Sequence, residues 1–157
     1  MPWPALGAQT RRPSSRRCGT PTERRSDGSV RRHNGQGREL GPGIYGLSNH
    51  LLDTPWPKVL RAKSRLQEAL GSMTDTAPLL ELLRDDLPAP DDQLPRTGVS
   101  LEWERLLSSA FVRARDYGTR SSTIIRIDAR GRAYFDEWSW DSVGAAGGNE
   151  SRQFQLE

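Results

Sequence analysis

Hydrophobic residues are distributed unevenly along the chain, and their spacing divides it near residue 40. Residues 1–40 contain no Ile, Phe or Tyr, only one Val and two Leu. Such a segment buries too little apolar area to offset a backbone entropy cost of about 1–2 kcal/mol per residue. We therefore expect residues 1–37 to be disordered and residues 38–157 to form the folded domain.

Beyond residue 40, alternation of apolar and polar residues predicts strands near both ends of the domain. The predicted strands are 43–49, 119–128, 133–140 and 151–157. Gly46 is expected at a bulge or at a close approach of another backbone. The second and third strands are predicted to form a β-hairpin, with Gly131 in the turn at a positive φ angle.

Helical periodicity occupies the middle of the domain. The predicted helices run from Asp53 or Thr54 to about residue 70, over about 78–86 and over about 101–107. Gly71 is expected to close the first helix, and Ser100 to cap the third. Lys58, Arg61 and Arg65 are expected to form a solvated face of the first helix. The order of one strand, then helices, then antiparallel strands predicts the α+β class.

Charge differs sharply between the two parts of the chain. Residues 1–40 carry nine Arg and three acidic residues, a formal charge of +6, which leaves −3 for the remainder. Four Arg pairs, at 11–12, 16–17, 24–25 and 31–32, provide a possible nucleic-acid-binding arm. Because no aromatic residues alternate with these arginines to stack on bases, a solvated tail without a partner is the favoured interpretation.

Cys18 is the only cysteine, so an intrachain disulfide and a cysteine-based metal cluster are both excluded. Arg17 next to it favours the thiolate, which leaves a thiol amidase as an alternative function. His33 is the nearest candidate base and lies fifteen residues away, so we expect no role for this thiol. We expect a cytoplasmic protein without cofactor or metal, and with no run of about 18 apolar residues to span a membrane.

Three stretches of the chain resemble a known family. They are PGIYGLSNHLLDTPWPKVLRAKSRL, LPRTGVSLEWERLLSSAFV and DYGTRSSTIIRID, and they are similar to the C-terminal half of the NRDE family, also called the Transport and Golgi organisation protein 2 family. The resemblance covers about residues 38–157. It implies part of a layered αββα fold like that of the N-terminal-nucleophile (Ntn) hydrolases. In members of the family, a Cys directly follows the initiator Met.

The chain departs from the family pattern in its first part. Residue 2 is Pro, the string NRDE does not occur, and residues 1–40 show no match to the family. We therefore expect a family domain that is incomplete at its N-terminus and has no catalytic activity. The residues before it would be the product of a frameshifted or mis-started reading frame. The resemblance links eukaryotic relatives to Golgi organisation and secretion and to lipid or haem handling, and it leaves a small amide or lipid-like molecule as the candidate ligand.

A looser similarity, to Ntn amidases of the bile-salt hydrolase and penicillin acylase type, implies two remnant site residues. Asn49 would donate its amide to an oxyanion, and Arg120 would place a positive charge beside the nucleophile. Alternatively, Asn49 caps a turn and Arg120 pairs with an acidic residue. His50 is expected to be a solvated neighbour rather than a base, and Trp56 a core anchor rather than a ligand contact.

Overall fold

The computed structural model describes residues 30–31, 37–72 and 75–156. Its elements are β1 (Val30–Arg31), β2 (Gly37–Arg38), α1 (Pro57–Ser72), α2 (Ala77–Leu83), a 3-10 turn (Asp91–Gln93), α3 (Leu101–Leu107), β3 (Ser121–Ile127), β4 (Arg132–Trp140) and β5 (Ala146–Gln155). Most of the segment predicted to be disordered lies outside the described residues, together with Cys18, His33 and the Arg pairs up to residue 25.

The predicted α+β class is confirmed. Strands β3, β4 and β5 form an antiparallel sheet in that order, with β4 in the centre. The hairpin between β3 and β4 is also as predicted, because Gly131 occupies the turn with φ of 75°. Strands β1 and β2 pair only with each other, in a separate two-residue ladder.

The last strand is longer than predicted. It begins at Ala146, five residues before the predicted start, and includes Gly147 and Gly148. Glycine is normally unfavourable inside a strand because it provides no side chain for packing. Every residue of β5 is exposed, so packing matters little there, and backbone pairing with β4 is sufficient to continue the strand.

The predicted strand at 43–49 is wrong. Residues 44–48 adopt no regular secondary structure and lie against α1. Two hydrogen bonds hold this backbone in a loop instead. The Gly46 amide donates to Asp53 Oδ1 over 2.8 Å, and the Asp53 amide donates to the Gly46 carbonyl over 2.7 Å. The close approach expected at Gly46 exists, but its neighbour is the Val59 side chain of α1 rather than another backbone.

Helix α1 begins later and ends later than predicted. Asp53 does not cap it, because its carboxylate binds the Gly46 amide and the Lys63 ammonium instead. The helix starts at Pro57 and continues through Gly71 to Ser72. Helix α3 agrees with the prediction, and Ser100 accepts a hydrogen bond from the Trp103 amide as its N-cap.

The arginines of α1 are not simply solvated. Arg61 Nε lies 3.0 Å from Asp85 Oδ2, and Arg65 Nη1 lies 3.7 Å from the same oxygen. The Asp85 carbonyl in turn accepts the amides of Ala110 and Phe111. The loop after α2 therefore connects α1 to the segment that enters the sheet.

The core lies where that segment meets the sheet. Phe111 is 1% exposed, and its ring packs edge-on against Trp140, with centroids 5.4 Å apart. The Trp140 indole donates to the Ser122 hydroxyl over 3.0 Å, which satisfies its polar atom inside the core. The Arg84 guanidinium lies 4.7 Å from the Trp140 ring centre and so joins the end of α2 to the sheet.

Candidate functional site

Two cavities border the loop at residues 45–49, and the larger one is apolar. This apolar cleft has a volume of about 550 Å³ and lies between the loop, α1, α2 and β3. Its apolar walls are formed by Val59, Ala62, Leu66, Leu79, Leu82, Leu83, Ile124 and Ile125. No residue of α2 is fully buried, so the leucines of this helix remain accessible from the cleft. The cleft is suited to an apolar ligand.

Strand β3 borders the apolar cleft and is also an edge of the sheet. It pairs with β4 on one side, and none of the other described strands pairs with its second side. Ile125 and Ile127 alternate with the buried Ile124 and are 61% and 60% exposed, and Ile125 also borders the apolar cleft. An edge strand with exposed isoleucines is unusual for a soluble sheet, because it can pair with a strand from elsewhere.

The smaller cavity is lined by both charged and apolar side chains, and we call it the polar pocket after its charged groups. This polar pocket has a volume of about 180 Å³ and is formed where the chain before α1 meets the loop before α3 and the end of α3. The residues that give it chemical character are Asn49, Trp56, Lys58, Thr97, Glu104 and Ser108. Asn49 and Lys58 also line the apolar cleft, so the two cavities adjoin at these side chains.

A buried carboxylate and a partly buried ammonium face the polar pocket. Glu104 is 7% exposed, and its Oε1 accepts hydrogen bonds from the Thr97 amide at 2.6 Å and the Thr97 hydroxyl at 2.7 Å. Lys58 Nζ donates to the Leu107 carbonyl over 2.8 Å and lies 5.7 Å from the Trp56 ring centre. Burial lowers the pKa of the Lys58 ammonium below its ordinary value of 10.5.

The two residues implied by the Ntn similarity lie in different settings. Asn49 lines both cavities, whereas Arg120 is exposed at the residue before β3 and lines neither. The Arg120 carbonyl accepts the Trp140 amide over 2.8 Å, which is a structural contact at the start of the sheet. The structure therefore does not gather Asn49 and Arg120 around one cavity.

The other two candidate residues flank the polar pocket. His50 is exposed, and its Nδ1 lies 2.9 Å from the Thr54 hydroxyl. Trp56 was expected to anchor the core, but it is only partly buried, and its ring forms part of the pocket wall. The His50 and Trp56 ring centres are 5.7 Å apart, so both rings belong to the same surface region.

Sequence reasoning missed the charged residues of the polar pocket. The helix prediction for α3 depends on its apolar residues, which do not indicate that Glu104 is buried. The available signal was helical spacing, since Glu104, Leu107 and Ser108 follow the i, i+3, i+4 pattern of one helix face. Nothing local indicates that Thr97 approaches this face, because that contact depends on the turn before α3.

The described residues contain neither a cluster of metal ligands nor a helix suited to a membrane. No group of three or more His, Cys, Asp or Glu side chains among them is arranged to hold a metal ion. None of the helices in the described part of the chain is both long and apolar enough to cross a membrane.

The fold and its cavities define an α+β domain with an apolar cleft and an adjoining polar pocket on the helical side of a three-stranded sheet. A family model described as Transport and Golgi organisation 2 matches residues 18–142, well over half of the chain. The chain belongs to this family. The matched range begins twenty residues before the start at residue 38 that the sequence resemblance indicated, so the expectation that residues 1–40 show no match to the family is wrong from residue 18 onward.

Curated mammalian relatives carry the same family name. The chain is 40% identical over 111 residues to the Transport and Golgi organization protein 2 homolog of Bos taurus. It is 38% identical over 110 residues to the homolog of Homo sapiens and 36% identical over 110 residues to that of Mus musculus. Each match covers 64% of this chain and 40% of the relative, so the chain spans less than half the length of these relatives.

Proposed function

We propose that this chain is a binding protein of the Transport and Golgi organisation 2 family, which holds a lipid-like apolar chain in the apolar cleft and does not hydrolyse amides. The apolar cleft itself carries the proposal. Its walls are aliphatic side chains from two helices and one strand, and the leucines of α2 are left incompletely buried. An acyl chain in the cleft would remove this surface from water, at about 25 cal/mol per Å² of apolar area.

Asn49 provides a polar contact at one end of the cleft. Its side chain lies where the apolar cleft adjoins the polar pocket. The amide carries two N–H donors, so it suits the carbonyl or carboxylate at the head of an acyl chain. In this proposal Asn49 keeps the donor function that the amidase similarity implied, but uses it for binding rather than for catalysis.

The absence of amide hydrolysis is proposed from the composition of the cleft. An acyl-transfer site needs a nucleophile hydrogen-bonded to a base. Among the described residues of the cleft, the Ser48 hydroxyl is directed to the Asn49 amide oxygen, 3.4 Å away, and an amide is not a base. The Thr123 hydroxyl does donate to a carboxylate, Glu137 Oε2, over 2.9 Å, but this pair is exposed across β3 and β4, and Glu137 does not line the cleft. Arg120, the second implied site residue, does not line the cleft.

Further features of the whole protein are also part of the proposal. The relatives are named for transport and Golgi organisation, and we assign this chain a role in the same process. We further propose that β3, β4 and β5 belong to one sheet of an αββα fold of the Ntn-hydrolase type. The lone cysteine supports a reducing compartment, and we place the protein in the cytoplasm.

The proposal is tested by displacement of a fluorescent fatty acid from the full-length chain. Ile125→Lys places an ammonium at the cleft, whereas Ile127→Lys makes the same change two residues along the same exposed face, outside the cleft. We expect Ile125→Lys to weaken binding by roughly tenfold or more, since burying one isoleucine contributes about 1.5–3 kcal/mol. Ile127→Lys should bind like the parent chain.

Both positions are exposed, so both variants should fold, and circular dichroism and thermal unfolding would verify this. Equal loss of binding in the two variants would show that the fatty acid binds elsewhere on the strand. A parent chain that binds no fatty acid at all would overturn the proposed function.

A further inference from the structure

The polar pocket contains two opposite charges that do not neutralise each other. The ion pairs among the described residues include neither Lys58 nor Glu104, so their charged atoms do not approach within 4.0 Å of one another. Removing an uncompensated charge from water is costly, and buried charges in proteins are normally paired. A pocket with one charge of each sign and no internal pair is arranged for a ligand that supplies both partners.

The carboxylate is held in a fixed position. Both donors of Thr97 bind a single oxygen, Oε1 of Glu104. The hydrogen bonds of Glu104 to the described residues both use Oε1, which leaves Oε2 as an acceptor for a ligand. Charge-assisted hydrogen bonds to a carboxylate are among the stronger ones in proteins, and a ligand ammonium is a suitable donor.

The ammonium of Lys58 is also oriented. One of its three N–H donors binds the Leu107 carbonyl, which leaves the other two for a ligand. The Asn49 amide lines the same pocket and adds neutral donors beside this positive charge. The Trp56 ring forms another wall, and the Lys58 ammonium lies 5.7 Å from its centre, so the cation that this indole attracts is Lys58 itself. The pocket therefore offers an anion-binding pair, Lys58 and Asn49, and one cation-binding group, the Glu104 carboxylate.

Three sequence stretches contribute polar or aromatic side chains to the pocket; two of them are neighbours near the start of α1, and the third lies before and within α3. GLSN contributes Asn49, TPWPK contributes Trp56 and Lys58, and the segment from LPRTG to EWE contributes Thr97 and Glu104. The apolar cleft uses only part of this set. Trp56, Thr97 and Glu104 do not line it, so the proposed binding of an acyl chain leaves them without a function.

We propose that the polar pocket binds a small zwitterion of the free amino acid class, with its ammonium at Glu104 and its carboxylate at Lys58 and Asn49. The net charge of the pocket is zero, and so is that of the ligand. Pockets for drug-sized ligands have about 300–1,000 Å³. The polar pocket has about 180 Å³, which restricts it to the smallest members of the class.

The experiment measures glycine binding to the full-length chain by NMR, with the Trp56 indole and Asn49 amide signals as reporters. Glycine amide lacks the carboxylate and acetate lacks the ammonium, so each tests one half of the pocket. We expect glycine to shift both signals, and either analogue to bind roughly tenfold or more weakly, because each loses a charge-assisted hydrogen bond.

The variants Lys58→Met and Glu104→Gln should each reduce glycine binding by a similar factor. Glu102→Gln is the matched control, since Glu102 lies on the same helix but does not line the pocket, and it should leave binding unchanged. If Glu104→Gln fails to fold, Lys58→Met together with the two analogues still tests whether the pocket recognises both charges of glycine.

Binding of glycine that persists in Lys58→Met, or acetate that binds as tightly as glycine, would overturn the proposal. So would a parent chain whose reporter signals do not respond to glycine. Ile125 lies outside the polar pocket, so loss of fatty acid binding and loss of glycine binding are distinguishable results.

Discussion

Gly46 shows how a single residue sets the distance between the loop at 45–49 and α1. A Cβ atom at this position would lie 2.5 Å from Val59 Cγ1, which is closer than real Cβ atoms approach another heavy atom. Val59 is 7% exposed and cannot move aside freely. The absence of a side chain at Gly46 thus allows the loop to pack on the helix and to form one wall of the apolar cleft.

Gly46→Ala is expected to destabilise the protein by about 1–3 kcal/mol, the usual cost of adding a methyl group to a filled space. Denaturant unfolding measures this change. Gly41→Ala is the control, because its added Cβ would meet no atom within 4 Å, and we expect a change of no more than about 0.5 kcal/mol. If contact with Val59 is the cause, Gly46→Ala should cost less in a Val59→Ala background; an unchanged cost would refute this explanation.

At the level of elements, local signals predicted those parts of the structure that depend on local interactions. The β3–β4 hairpin and α3 were predicted correctly because a turn glycine and an N-cap serine act within a few residues. The prediction of a strand at 43–49 was wrong because the alternation of apolar and polar residues indicates only a preference for the strand conformation. A strand also needs a neighbouring strand with which to pair. The early start of β5 was missed because Gly147 and Gly148 resemble a linker until β4 is seen beside them.

The candidate site was less predictable than the fold. Asn49 was identified in advance and does line both cavities, but Arg120 lies apart from it. The polar pocket is formed by residues near positions 49, 56, 97 and 104, which only tertiary packing brings together. No periodicity connects segments so far apart in sequence, so Lys58 and Glu104 were not recognised as neighbours.

The turn between β3 and β4 depends on one ionised side chain. Asp128 Oδ1 accepts the amides of Arg130 and Arg132 at 2.9 Å each, and Oδ2 lies 2.7 Å from Arg132 Nε. The backbone amide and the guanidinium of Arg132 hold the pKa of Asp128 below its ordinary value of 3.8. The folded state therefore binds this proton less readily than the unfolded state does.

A depressed pKa contributes stability that is present above pH 3.8 and is lost as the pH falls through the lower native value. We expect Asp128→Asn to lower the melting temperature at neutral pH, and its difference from the parent chain to shrink on acidification through that window. Thermal unfolding as a function of pH measures both quantities. A difference that stays constant down to the lowest pH would show that the geometry of the turn, rather than the charge, is responsible.

At the scale of the whole molecule, the positions of Asn49, Arg120 and Cys18 bear on whether the protein can hydrolyse amides. Hydrolysis of an amide needs a nucleophile, a base and oxyanion donors within reach of one reacting carbon. The described residues place Asn49 at the cavities and Arg120 at the start of the sheet, and Cys18 lies outside the described residues. We expect no turnover of acyl-amino acids or penicillin-type amides by the full-length chain above the buffer background.

Product formation followed by chromatography would check this, with an active Ntn amidase as the positive control. Turnover that survives Cys18→Ala would contradict the expectation and direct attention to a hydroxyl nucleophile. Turnover that disappears in Cys18→Ala would contradict it as well, and would identify the thiol amidase alternative as correct.

The two edges of the sheet differ in chemistry, and this difference limits how copies of the protein can associate. The edge strand β5 carries an exposed ion pair, Glu150 with Arg152, together with the exposed Phe154, whereas β3 presents Ile125 and Ile127. Charged side chains oppose the pairing of an edge strand with another chain, so β3 is the more adhesive edge of the described sheet. Self-association through backbone pairing should therefore favour contact of β3 with β3, which closes at two molecules, over contact of β3 with β5, which would continue into fibrils.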